Sequence, residues 1–154
     1  MTLSGNVDAR AIARKLDPDH PQTALTPEIM NCECPGELRA GLLLINGDWS
    51  EAHQACQILD TPLAAHWHAL VHRHEPDFTN SKYWLRKVGD SPIYPDLVRL
   101  AGETVRGAGA IQNGRWDPFL FTDLFDLGGP DNWTWATDRQ EMLLLLEYSM
   151  TLAE

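Results

Sequence analysis

Apolar residues recur along the chain at intervals of three and four rather than two, and no series of β-branched runs lies between turn signals. The pattern predicts an all-α protein. A first helix is expected from Val7 to Leu16, stopping before Asp17-Pro18 because a residue preceding proline is pushed out of helical geometry. Residues 17–36 carry four prolines and acidic side chains with few apolar anchors, and read as a wrapping loop.

Residues 37–89 read as two helical hairpins. The stretch GELRAGLLLINGDWSEAHQACQIL breaks at Asn46-Gly47 and restarts at Asp48, where Asp48 with Glu51 has the spacing of a capping box. The same grammar returns further on: a helix from Pro62 to His74, a break at Pro76, and a restart capped by Asp77. Aligning GDWSEAHQACQIL with PDFTNSKYWLRKV pairs Asp48 with Asp77, Trp49 with Phe78 and Leu59 with Val88, a weak internal repeat. C-terminal helices then fill residues 95–154. One is expected from Asp96 to Arg106, followed by a linker, GAGAIQNG; a second opens at Asp117-Pro118 and ends at Gly128-Gly129; Thr137 with Gln140 opens the last, whose consecutive leucines imply burial on more than one side.

At 154 residues the chain suits one core, so a single domain is expected. A formal charge of −10, with no local Lys/Arg run, sets up a field that repels polyphosphate and anionic lipid, which argues against nucleic-acid and membrane-surface partners. The first twenty residues lack a secretory signal's apolar core, and a cytoplasmic setting is the expectation. Cys32, Cys34 and Cys56 cannot all pair and lack zinc-ribbon or redox spacing, so they read as reduced thiols.

Two resemblances bear on the architecture. The GDWSEA and PDFTNSKYWLRKVG segments resemble the second helices of tetratricopeptide and Sel1-like repeats, which implies stacked antiparallel helical hairpins over residues 37–89. The stretch WHALVHRHEPDFTNSKYWLRKVGDSP, with WDPFLFTDL, is similar to a family of uncharacterised bacterial helical proteins. The matching positions are His68, His72, Arg73, Glu75, Asp77, Asn80, Tyr83 and Trp84. This chain departs from that pattern with Ala69 in place of glycine and Ser91 in place of histidine before Pro92. The resemblance implies residues to watch and no chemistry.

The densest candidate chemistry lies in AHWHALVHRHEPDF, residues 65–78, with four histidines and two carboxylates. On a helix, His68, His72 and Glu75 fall within roughly 60° of one another, so they could give a divalent transition metal two nitrogens and an oxygen, with Asp77 as a fourth ligand or base. His66 and Arg73 project to the other flank, and His74 falls among apolar positions. Structural alternatives stand beside each reading. His68 and His72 could sit in a hydrogen-bonded helix seam, Arg73 and Glu75 could pair within the turn, and Tyr83 and Trp84 could be core.

No phosphate-binding glycine loop, serine nucleophile elbow or His-Glu-x-x-His motif occurs. A cysteine nucleophile would require Cys56 to meet a histidine in space. Whether the chain is an enzyme is left open by the sequence. Its first functional expectation is a helical domain binding a partner protein or small molecule through residues 66–86, with Arg73, Asn80, Tyr83 and Trp84 as ligand contacts; the second is a metal-binding protein or metal-dependent enzyme using His68, His72, Glu75 and Asp77.

Overall fold

The computed structural model describes residues 8–101 and 107–154, and over these the chain is all-α apart from one two-residue hairpin. Helix α1 (Ala9–Lys15) begins where the Asp8 side chain accepts from the Arg10 amide. Its end before Asp17-Pro18 follows the expectation. The segment read as a wrapping loop instead contains α2 (Leu25–Met30), and Leu25, Ile29 and Cys32 are buried. Three apolar side chains one helical turn or so apart thus anchor a stretch whose prolines had suggested no regular structure.

Two hairpins follow, α3 (Gly36–Ile45) with α4 (Trp49–Gln57) and α5 (Pro62–His74) with α6 (Phe78–Val88), and α4 also packs on α5. The two restarts differ. Asp77 caps α6 by accepting from the Asn80 amide. Asp48 stands at the corresponding place before α4 but makes no cap bond; its carboxylate accepts from Thr26 and Asn46 and ties α2 to the hairpin turn. The expected capping box with Glu51 is therefore absent.

Helix α7 (Tyr94–Ala101) is followed by residues 102–106, outside the described residues, where the rest of the expected Asp96–Arg106 helix would fall. The glycine-rich linker forms a 3₁₀ turn (Gly107–Ala110) and a hairpin of β1 (Ile111–Gln112) with β2 (Arg115–Trp116). Its two-residue loop, Asn113-Gly114, has φ of 54° and 76°. Two successive positive φ values match the tight turn whose twist suits paired strands, and Asn-Gly is the dipeptide that adopts it most readily. Asp117 then caps α8 (Pro118–Asp126).

Helix α9 (Asn132–Ala153) starts five residues before the expected Thr137, because Asp131 and Thr134 form the reciprocal capping box. It packs on α3 and α7, and Met142, Leu145, Leu146 and Met150 enter the core. The buried apolar residues of α1 through α9 form one connected cluster. No described helix is long and apolar enough to cross a membrane.

Closeness of α3 to α5 rests on Gly41. A Cβ at that position would lie 2.5 Å from the Trp67 ring, and Trp67 cannot retreat: it is fully buried and its indole N–H donates to Ser149 on α9. Glycine to alanine ordinarily favours a helix by about 1 kcal/mol. Here the overlap reverses the sign, and Gly41→Ala is expected to destabilise by about 1–3 kcal/mol, read as a lower midpoint in urea unfolding.

Candidate metal centre

Helix α5 is buried nearly all round, ten of its thirteen residues included, and its two polar faces do different work. Thr61 caps the start, with Pro62 in the first turn, and Glu75 ends the helix. This frame aims His68 and His72 towards α4 and α6, and His66, Arg73 and His74 towards α9.

On the first face, His68 and His72 meet His53 of α4. Ring centroids lie 4.7 Å apart for His53 and His68, 5.1 Å for His53 and His72, and 4.9 Å for the stacked pair His68 and His72. One ligand nitrogen from each lies within 4.8 Å of the others. A tetrahedral ion with nitrogens at about 2.0–2.1 Å would draw them to about 3.4 Å, a contraction that needs small rotations of the imidazole rings. Trp84 of α6 closes the far side, its ring stacked on His68 at 3.9 Å and 16°.

These imidazoles are poorly served by the protein. Neither nitrogen of the buried His68 has a hydrogen-bond partner, and Nδ1 of His72 also lacks one. A buried polar atom left unpaired costs about 1–3 kcal/mol, so a group of them calls for a function. Burial, with the neighbouring His72 and His53 rings, pushes His68 down to about 4. Burial likewise lowers His72, against the pull of Glu75 and Asp77. Both rings are neutral at pH 7 and present lone pairs.

The carboxylates expected as ligands sit behind the cluster rather than in it. Nδ1 of His72 is 3.5 Å from Glu75 and 3.9 Å from Asp77. His53 takes the place that the sequence reading assigned to a carboxylate. In this arrangement Glu75 and Asp77 would orient and polarise a ligating imidazole, as outer carboxylates do at many metal sites. Hydrogen bonds from Asn80 hold the Asp77 carboxyl below its ordinary range.

Of the four expected ligand contacts, Asn80 is engaged in that cap, while Tyr83 is exposed beside Trp84, with the Lys87 ammonium 5.0 Å and 4.9 Å from their ring centres. Arg73 is elsewhere. It is fully buried and its Nη1 donates to Asp138 and Glu141 of α9, both at 2.9 Å. Its guanidinium carbon lies 4.8 Å and 5.3 Å from the ring centres of Phe121 and Phe125. A bidentate clamp on an incoming ligand is therefore not available, and the expected pairing with Glu75 gives way to one with α9. His66 and His74 bond the remaining oxygens of Glu141 and Asp138, each at 2.8 Å. Burial alone would raise both acids, but Arg73 and the two imidazoles hold them below the ordinary carboxylate range.

His53 escaped the sequence reading because it lies outside the histidine-rich segment. Its signal was the hairpin grammar, which places its helix beside α5. Ser91, standing where the resembling family has histidine, is buried and accepts from the Ile93 amide. Cys56, weighed as a nucleophile, is pushed up to about 12 by burial and is a protonated thiol at neutral pH. Comparison with protein-family models, curated proteins and solved structures finds no match for this chain.

Arg73→Met would leave two buried carboxylates without their cation and is expected to cost about 3–5 kcal/mol in chemical unfolding. A pH dependence also follows from His68. Between its ordinary 6.5 and about 4 the unfolded chain binds the proton and the folded chain does not. Stability of the metal-free protein from this source is full above about pH 6.5 and is lost as pH falls towards 4. Thermal unfolding between pH 4.5 and 7.5 should show that slope, and His68→Gln should reduce it.

Proposed function

We propose that the protein binds a divalent transition metal through His53, His68 and His72. The observation that carries this reading is the convergence of three imidazoles, one of them buried with both nitrogens unpaired. Imidazole sets of this kind suit zinc, nickel, copper or iron. Three protein ligands leave a fourth position for water or an exchangeable ligand, the pattern of reactive rather than closed structural zinc sites. His53 is half-buried, which gives the ion a way in.

The doubled hairpin α3–α4 and α5–α6 supports the tetratricopeptide-like reading of this half, and the acidic chain with its unbridged cysteines fits a cytoplasmic setting. A partner-binding face is the second reading. With Arg73 buried it contracts to Tyr83, Trp84 and Lys87, directly over His68, so a partner docked there would sit on the metal centre.

Elemental analysis of untagged protein is expected to show near-stoichiometric metal, and added zinc, nickel, manganese or iron(II) to raise the melting temperature selectively. At a free metal concentration 100 times Kd, the gain would be about 2.7 kcal/mol. His53→Ala, His68→Ala and His72→Ala should each abolish it. Glu75→Gln with Asp77→Asn should retain one ion at about 10- to 100-fold lower affinity. An unchanged melting temperature with every metal, in protein that purifies without one, would defeat the proposal.

A further inference from the structure

On the opposite end of α5 a cavity of about 380 Å³ lies between the first turns of α3 and α5 and the last turns of α9, walled on one side by the α6–α7 link. That volume is within the range of small-molecule sites, about 300–1,000 Å³. None of the three metal-site histidines lines it, so it stands independently of the metal reading. Most of its wall is apolar, with Leu63, Leu145 and Leu152 among the contributors.

The carboxylates on that wall, Glu37 and Asp90, give it one sign of charge. Glu37 accepts from Thr61 with one carboxylate oxygen and makes no other hydrogen bond among the described residues. Asp90 is exposed at the rim, with no ion pair among the described residues. The His66 ring is 1 % exposed, and its Nε2 faces Glu141 at 2.8 Å while Nδ1 has no hydrogen bond among the described residues. Among the described residues, no lysine or arginine lines the cavity. The helix starts would by themselves favour an anion. However, Glu37 already sits in the first turn of α3, Thr61 caps α5, and the carbonyl end of α9 contributes the opposite sign.

We propose that this cavity binds a small organic amine as its ammonium, the apolar body filling the leucine-walled interior and the charged end held by Glu37 and Asp90. His66 supplies a ring nitrogen for a second polar group on the ligand. The class follows from complementarity: two carboxylates, no cation among the described lining residues to answer an acid, and an apolar wall that favours hydrocarbon over water.

Calorimetric titration of the full chain at pH 7 with 2-phenylethylamine, 2-phenylethanol and 3-phenylpropionate tests this. The amine is expected to bind one-to-one and at least about tenfold more tightly than the alcohol, with the carboxylate weakest. Glu37→Gln with Asp90→Asn, both on accessible side chains, should weaken the amine at least about fivefold while leaving the melting temperature in place. Leu63→Trp should block the cavity. Equal affinity for amine and alcohol, preference for the carboxylate, amine binding untouched by the double substitution, or no saturable binding of the amine would each overturn the assignment. The metal measurements above stand or fall separately.

Discussion

The pairing of Arg73 with Asp138 and Glu141 is the constraint on which the arrangement of α5 depends. A guanidinium without contact with water must meet carboxylates at hydrogen-bond distance, and these two come from a helix more than sixty residues away in sequence. Burying such charges is costly, and an apolar cluster of the same shape can be as stable or more so. What the ions add is position. Arg73 reaches both acids, His66 and His74 take their outer oxygens, and Trp67 bonds Ser149. Together these bonds set the register of α5 against α9 at points along its length, which sliding leucines would not do.

That fixed register carries over to the other side of the same helix. Because α5 is held from behind, His68 and His72 are presented to α4 and α6 at a set depth, and Trp84 can stack flat on His68. Three rings within 4.8 Å through one nitrogen each are then a property of the packed protein rather than of a mobile surface. The neutrality of His68 and His72 has the same origin: the packing that positions them also removes the water that would stabilise their charge.

Much of this was legible in the order of residues, and what was not has identifiable causes. Helix α5 was read at its observed ends because Thr61-Pro62 and Glu75-Pro76 punctuate it, and α8 because Asp117-Pro118 opens it. Helix α2 was hidden by prolines, although Leu25 and Ile29 are one turn apart. The start of α9 was misplaced because Asp131 and Thr134 cap less conspicuously than Thr137 and Gln140 suggested. Local spacing found His68 and His72, yet it could not supply His53 or send Arg73 to α9, since both facts depend on which helices meet. Glu75 showed the limit of the helical wheel: it lies at the point where the helix ends, so its carboxylate turns towards the back of His72.

The long sequence separation of the α5–α9 bonds has a consequence for synthesis of the chain. Residues 36–88 form hairpins from near neighbours, contacts of the kind that close quickly. The carboxylates that answer Arg73 leave the ribosome 65 and 68 residues after it. At about 5–20 residues per second that is a delay of several seconds, during which His53, His68 and His72 have all been made but the face of α5 that awaits α9 is bare. The side chains of the imidazole cluster are therefore synthesised before the helix that sets their depth, and α9 is the element that locks α5 in place.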